Sequence, residues 1–209
     1  MVVIGITGSL GTGKTSVASF FRKLGARVLD ADRIARDVMK PSGECYRRIV
    51  RRFGPDVCRG RAIDRKKLAA RVFADPQALK DLETIIHPAV LKRIKREIRG
   101  LRRQGSVKAV VVDVPLLFEA GWDRDMDVTI TVRANRQAQH QRLRRGGKFS
   151  PREAAQRLKR QMPLSQKIRL SDYVIDNNGS FSETRGQVHH IWKNIMKKYP
   201  IGKKCQRNN

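Results

Sequence analysis

An apolar strand that runs directly into a glycine-rich loop constrains this chain more than any other feature. Residues 2–7 are mostly apolar, and Gly8-Ser-Leu-Gly-Thr-Gly-Lys-Thr15 then fits the pattern G-x-x-x-x-G-K-[ST] of a phosphate-binding loop. Glycines let the backbone turn tightly, so that successive N–H groups converge on phosphate oxygens. The ammonium of Lys14 is expected near the β- and γ-phosphates, and the Thr15 hydroxyl is expected to bind Mg²⁺.

The residues on either side of the loop favour a binding site over a glycine-rich turn that binds nothing. A buried strand is predicted before the loop, and residues 17–24 are predicted to form a helix after it. The positive N-terminal end of that helix would face the same anion. We therefore predict that the chain binds a nucleoside triphosphate. The predicted loop contacts are Gly8, Leu10, Gly11, Thr12, Gly13, Lys14, Thr15 and Ser16.

The composition narrows the class of protein. Lysine and arginine number 46 against 19 acidic residues, a formal net charge of +27 that suits nucleic acid, an anionic membrane surface or highly phosphorylated substrates. Aromatic residues are only 6% and do not alternate with the basic runs, which disfavours a base-stacking surface. No apolar run approaches the roughly 18 residues of a membrane span. Three cysteines without C-x-x-C spacing, and no signal peptide, predict a reducing cytoplasm without a structural disulfide or zinc site.

Alternating strands and helices predict an α/β fold with a parallel sheet. Strands are expected at 2–7, 26–30, 107–113, 126–132 and 172–176, with helices at 34–40, 136–145, 151–162 and 182–198. Between the second and third strands only helical patterns are visible, which predicts an insertion that covers a substrate. Its helices are expected at 45–53, 65–73, 76–86 and 88–103, with Pro76 and Pro88 each in a first turn.

Acidic residues follow two of the predicted strands. Asp30 and Asp32 come at the carboxyl end of the second strand, where ligands bind in open α/β sheets. Either acid can accept a proton from an attacking hydroxyl, hold Mg²⁺ through water, or only cap the following helix. Asp113 ends the strand at 107–113 and matches the Walker B position, with a simple strand-end role as the alternative. Glu119 follows closely and is a candidate for orienting a substrate.

The segment 133–169 holds nine arginines and three lysines against a single acid. Like charges repel each other in such a segment. Its folding becomes favourable when it closes over polyphosphate, because guanidinium groups pair bidentately with phosphate oxygens. Two predicted helices joined through Gly146 and Gly147 suit a mobile lid. Arg142 and Arg145 lie one helical turn apart, and a solvated basic face is the alternative for many of these cations. His87, a lone histidine before Pro88, fits a structural role or a substrate contact.

Together these motifs resemble the dephospho-coenzyme A kinase family from Val3 to about Ser180. The loop matches the family pattern except that Ser9 stands where a glycine is frequent. The combination of Asp30-Ala-Asp32, His87-Pro88 and Pro115-Leu-Leu-Phe-Glu119 is far more specific than the loop alone. Further matches are Ile34-Ala-Arg36, Phe53-Gly54, Leu82-Glu83, Gln161, Lys167, Asp172 and Val174-Ile-Asp-Asn177.

The resemblance implies transfer of the γ-phosphoryl group of ATP to the ribose 3′-hydroxyl of dephospho-CoA, giving CoA and ADP in the last step of coenzyme A biosynthesis. It implies that Asp32 is the base and that Arg142 contacts the polyphosphate, with Arg145 as a close competitor. It further implies that Asn177 lines the adenine pocket. The implied substrate contacts are Asp32, His87, Pro115, Leu116 and Glu119, and the implied Mg²⁺ ligands are Thr15 and Asp113.

The resemblance also implies a three-layer P-loop kinase core with a helical insertion and a helical lid. The core is expected to comprise residues 1–32, 105–135 and 170–200, the CoA-binding region 33–104 and the lid 136–169, with a disordered tail at 201–209. A cytoplasmic monomer or small homo-oligomer without a specific nucleic acid or membrane partner is expected. Two alternatives stay open: a P-loop kinase for a nucleoside monophosphate or sugar acid, and a nucleic-acid-binding protein that only binds ATP.

Overall fold

A five-stranded sheet forms the centre of the computed structural model, which describes residues 1–147 and 150–200. The strands are β1 (Val2–Thr7), β2 (Arg27–Asp30), β3 (Cys58–Arg59), β4 (Ala62–Ile63), β5 (Ala109–Asp113), β6 (Val128–Arg133) and β7 (Tyr173–Asp176). The sheet order is β2-β5-β1-β6-β7, and the pairs β1–β5, β1–β6 and β6–β7 are parallel. The α/β fold class with a parallel sheet is therefore confirmed.

The structure also gives the bounds of the helices. They are α1 (Lys14–Lys23), α2 (Ala31–Val38), α3 (Tyr46–Phe53), α4 (Arg65–Ala74), α5 (Pro76–Gln104), α6 (Arg136–Gly146), α7 (Pro151–Lys159), α8 (Leu164–Leu170) and α9 (Phe181–Lys198). Within the described ranges, none of these helices is both long enough and apolar enough to cross a membrane.

The core explains why the central strands are apolar along their whole length. All six residues of β1 are buried, because β1 pairs with a strand on each side and helices cover the sheet. From α1, Val17 and Phe21 pack in this core, and from α9, Val188 and Ile195. These four side chains have no solvent-exposed surface. The loop after β1 therefore begins directly at the end of a fully buried central strand, which fixes its starting point.

The chain divides into two compact units. One contains Met1–Leu29 and the chain from Leu101 onward, and the other contains Asp30–Gly100. The second unit has its own buried apolar side chains, among them Ile49, Phe53 and Ile94. The finer division into core, CoA-binding region and lid stays a prediction.

The expectation that the insertion contains only helices is wrong at one place. The strands β3 and β4 form a short antiparallel hairpin in which Cys58 pairs with Ile63 and Arg59 with Ala62. Gly60 adopts a positive φ of 60°, which permits the tight turn between them. Each strand has only two residues, too few for an alternating pattern to be visible in the sequence.

The predicted helix break at Pro88 is also wrong, because α5 runs through it as one helix from Pro76 to Gln104. A proline inside a helix removes one hydrogen bond, here to the carbonyl of Thr84. Thr84 is exposed, so water can satisfy that carbonyl. Ile85 and Val90 are buried on either side of the proline, and their packing favours continuation of the helix. Pro76, in contrast, begins α5 as predicted.

The arginine-rich segment contains one more helix than predicted. The second predicted helix, at 151–162, ends at Lys159, and α8 follows from Leu164 to Leu170 before β7 begins. Pro163 separates the two helices, because the residue before a proline is pushed away from the helical conformation. The predicted tail at 201–209 lies outside the described residues.

Candidate active site

Backbone shape at the loop between β1 and α1 depends on glycine. Gly8, Gly11 and Gly13 have φ values of 146°, 80° and 89°, which side chains rarely allow. A Cβ on Gly8 would overlap the carbonyl of Val132, and one on Gly13 would overlap the side-chain amide of Asn177. The loop is therefore packed closely against the carboxyl ends of β6 and β7. Its glycines permit this close contact as well as the tight turn.

The last residues of the loop motif already belong to α1, which begins at Lys14 rather than at residue 17. Thr15 is exposed in the first turn, and Ser16 donates its N–H to the carbonyl of Gly13 at 3.0 Å. The ammonium of Lys14 reaches back across the loop, 2.9 Å from the carbonyl oxygen of Gly8 and 3.1 Å from that of Ser9. The Lys14 ammonium and the N-terminus of α1 thus belong to the same loop, which is an anion-binding arrangement.

Arg142 of α6 is joined to the loop by hydrogen bonds. Its Nη1 donates to the carbonyl of Thr12 at 3.2 Å, and its Nη2 donates to the carbonyl of Asn177 at 2.7 Å. Asn177 is buried, and its own Nδ2 donates to Thr12 at 2.8 Å. Arg145 is exposed and makes no hydrogen bond or ion pair with the described part of the chain. Of the two competing arginines, the structure therefore places Arg142 at the loop.

Asp113 ends β5 opposite Ile6 of β1, two residues before the loop begins. The segment after it is tied to the same place, because the carbonyl of Pro115 accepts the hydroxyl of Thr7 at 3.2 Å. Leu116 is half-buried in the turn that follows, where its carbonyl accepts the N–H of Ala120. The predicted Walker B acid and the predicted substrate segment thus adjoin the base of the phosphate-binding loop.

An ion pair between a buried lysine and Glu119 lies behind this segment, and sequence reasoning did not identify it. Lys167 of α8 has no exposed surface, and its Nζ lies 2.8 Å from Oε1 of Glu119 and 2.6 Å from the carbonyl of Pro115. Burial lowers the pKa of Lys167, and the adjacent Glu119 carboxylate opposes that shift. The same Oε1 accepts the N–H of Met162 at 2.8 Å. Lys167 is among the residues that match the family pattern, but nothing in its local sequence indicates that it is buried.

We expect Lys167→Met to lower the free energy of unfolding by about 3 kcal/mol, because it leaves Glu119 in place without its buried cation. The side chain of Glu119 is only 18% exposed, so water replaces the lost partner poorly. Urea unfolding of the ligand-free protein measures the change. Lys92→Met is the matched control: Lys92 pairs with Glu44 at 3.4 Å on the surface, and we expect a change below about 0.5 kcal/mol. Equal losses in the two variants would contradict the role given to Lys167.

The two acids after β2 have different surroundings. Asp30 is the N-cap of α2, where its Oδ1 accepts the N–H of Arg33 at 2.9 Å. The helix consequently begins at Ala31, earlier than the predicted residue 34. Asp32 lies exposed in the first turn of α2. The capping role that the sequence left open thus belongs to Asp30.

His87 lies half-buried within α5, in the unit that contains residues 30–100. Burial lowers the pKa of this imidazole, and the charge of Glu83 opposes the shift. The neutral imidazole, with one donor and one acceptor nitrogen, is therefore favoured at pH 7.

The donor set near the loop fits magnesium. Mg²⁺ prefers oxygen ligands and in nucleotide enzymes is held by one or two carboxylates together with substrate phosphates. The hydroxyl of Thr15 and the carboxylate of Asp113 are oxygen groups of the kind that Mg²⁺ prefers. In the part of the chain that the structure describes, no group of three or more His, Cys, Asp or Glu side chains forms an all-protein metal site.

A parallel sheet, a glycine-rich phosphate-binding loop after its central strand, an acid at the end of the neighbouring strand and an arginine hydrogen-bonded to the loop are typical of a P-loop kinase. A family model described as dephospho-CoA kinase matches residues 2–183. A dephospho-CoA kinase from Syntrophotalea carbinolica is 46% identical over 189 residues, covering 90% of this chain and 89% of that protein. The chain belongs to the dephospho-CoA kinase family.

Solved structures agree with this assignment. A crystal structure of a protein from Thermus thermophilus is 32% identical with a TM-score of 0.79, covering 94% of this chain and 97% of that one. The dephospho-CoA kinase from Campylobacter jejuni is 26% identical with a TM-score of 0.69, covering 94% and 98%. The predicted family is thereby confirmed.

Proposed function

We propose that this protein transfers the γ-phosphoryl group of ATP to the ribose 3′-hydroxyl of dephospho-CoA, giving CoA and ADP. The observation that carries the proposal is the family match over residues 2–183, which spans both the phosphate-binding loop and the helical insertion. The loop supports the donor half of the reaction. The reaction is the last step of coenzyme A biosynthesis, and we place it in the cytoplasm.

The donor side is a set of cations and backbone N–H groups. Phosphoryl transfer proceeds through a loose transition state in which catalysis is mostly positioning and neutralisation of charge. Lys14 would exchange its contacts with Gly8 and Ser9 for the phosphates. Arg142 has five N–H donors, of which two bond carbonyls here, so it can keep its place on the loop and still bind phosphate. Asn177 would line the adenine pocket from behind the loop.

The acceptor side is assigned to carboxylates and to the segment after Asp113. Asp32 would accept the proton of the 3′-hydroxyl as it attacks, which its exposed position in α2 permits. Thr15 and Asp113 would hold Mg²⁺, which neutralises charge on the phosphates when bound.

The remaining predicted contacts with dephospho-CoA are His87, Pro115, Leu116 and Glu119. His87 would offer a neutral imidazole that is able to donate or accept a hydrogen bond. Glu119 uses Oε1 for Lys167 and Met162, which leaves Oε2 for a substrate group. Residues 33–104 would form the acceptor-binding region and residues 136–169 the lid, in a monomer or small homo-oligomer.

An ADP-release assay with several acceptors tests the function. We expect ATP-dependent turnover with dephospho-CoA that exceeds turnover with adenosine, AMP or shikimate by at least about 100-fold, the discrimination that loss of buried polar contacts supplies. Preference for AMP or shikimate would assign the protein to another class of P-loop kinase. Salt-resistant polyanion binding without acceptor-dependent turnover would favour the nucleic-acid-binding alternative.

A further inference from the structure

A neutral side chain among the cations of the arginine-rich segment contacts the phosphate-binding loop. Gln161 follows α7, and its Oε1 accepts the backbone N–H of Leu10 at 3.1 Å. Leu10 lies in the middle of the loop motif, so this bond occupies one of the loop's own N–H groups. A chain N–H can only donate, which fixes the orientation of the Gln161 amide: oxygen toward Leu10, nitrogen away from it.

The amide nitrogen of Gln161 is a hydrogen-bond donor held close to the loop. Nε2 makes no hydrogen bond within residues 1–147 and 150–200. Amide bond lengths place Nε2 at most about 5.4 Å from the Leu10 nitrogen, given the bond to Oε1. The next residue is also held, because the N–H of Met162 donates to Glu119, which is paired with buried Lys167. The side-chain oxygen of Gln161 and the backbone N–H that follows it are thus both held by hydrogen bonds.

The position of Lys14 indicates which phosphate this amide faces. The Lys14 ammonium contacts the carbonyls of Gly8 and Ser9, and Gln161 contacts the next residue of the same arm of the loop. The opposite arm, at the N-terminus of α1, holds the inner phosphate through backbone N–H groups. The lysine of this motif reaches outward to the terminal phosphates. Gln161 therefore lies on the side of the loop that the γ-phosphate occupies.

We propose that Gln161 binds the γ-phosphate of ATP through Nε2 while its Oε1 holds the N–H of Leu10. This inference rests on the proposed function of the loop as the ATP site and adds a contact that distinguishes ATP from ADP. The carboxamide of Gln161 supplies both an acceptor for the loop and a donor for phosphate, whereas arginine and lysine supply only donors.

Two substitutions separate donation to phosphate from attachment to the loop. Gln161→Met removes both functions at similar length. Gln161→Glu keeps an acceptor for Leu10 but replaces the donor with a negative charge. Gln166→Met and Gln166→Glu are matched controls, because Gln166 is exposed on α8 and its side chain makes no hydrogen bond with the other described residues.

Calorimetric titration with MgATP and MgADP, without any acceptor, measures the effect. We expect Gln161→Met to weaken ATP binding by about tenfold, the value of a hydrogen bond to a charged group, and ADP binding by less than about threefold. Gln161→Glu should weaken ATP binding further, and both Gln166 variants should match the wild type.

Three outcomes would overturn the inference: equal losses for ATP and ADP, ATP affinity in Gln161→Glu at the wild-type level, or tighter ATP binding in Gln161→Met. The last would mean that phosphate displaces Gln161 from the loop. Because no acceptor is present, these results stand apart from the acceptor assay, whose failure would contradict the proposed function alone.

Discussion

Asp32→Asn is expected to lower kcat with dephospho-CoA by about 10²–10⁴-fold, the contribution of a positioned general base. Asparagine has the same shape as aspartate but cannot take the proton of the attacking hydroxyl. Asp32 is exposed in the first turn of α2, so the substitution should leave the fold intact. Steady-state turnover gives kcat, and calorimetric titration should show ATP affinity within about threefold of the wild type.

Asp30→Asn supplies the matched control two residues away. Asp30 caps α2 through the N–H of Arg33, and asparagine caps helices as well as aspartate does. This variant should therefore retain turnover close to the wild type. Near-normal turnover in Asp32→Asn would remove Asp32 from the role of base. A loss of the same size in Asp30→Asn would mean that both acids act on the reaction.

Lys14→Met is expected to lower kcat/KM by about 10³-fold or more, because it removes the cation that stabilises the negative charge of the transferred phosphoryl group in the transition state. In the structure the Lys14 ammonium bonds the carbonyls of Gly8 and Ser9, so the variant also loses two contacts within the loop. Those contacts are made without nucleotide and do not stabilise the transition state. The rate loss should accordingly exceed any loss in folding stability, which urea unfolding measures separately.

Lys23→Met is the control for Lys14→Met. Lys23 lies exposed in the last turn of the same helix, away from the loop, and its removal should leave kcat/KM unchanged. A reduction of less than about tenfold in Lys14→Met would contradict the assignment of Lys14 to the transferred phosphate.

The fold was predictable wherever the local sequence pattern and the tertiary packing favour the same structure. The central strands are continuous apolar runs, and the phosphate-binding loop has its own glycine pattern. The prediction failed where packing overrides a local rule. A proline such as Pro88 usually ends a helix, yet α5 continues past it because Ile85 and Val90 pack in the interior on either side. The hairpin of β3 and β4 is too short to leave a periodic signal.

The candidate site was predictable to the same degree. The loop residues were recognisable from their spacing alone, and Asp113 from its place after a buried strand. The contacts that organise them were not, because they join residues far apart in the chain. Examples are Glu119 with Lys167 and Leu10 with Gln161. In a chain with 46 basic residues, nothing local shows which lysine is buried.

The sequence by itself determined that this protein has a phosphate-binding loop after a buried strand, since glycine, lysine and threonine at that spacing satisfy a local backbone requirement. Tertiary structure alone decided which distant groups meet at that loop. It brought Arg142 rather than Arg145 to Thr12, buried Lys167 beside Glu119, and attached Gln161 to Leu10. The physical reason is that a loop conformation depends on neighbours in the chain, whereas a buried charge or a held amide depends on neighbours in space.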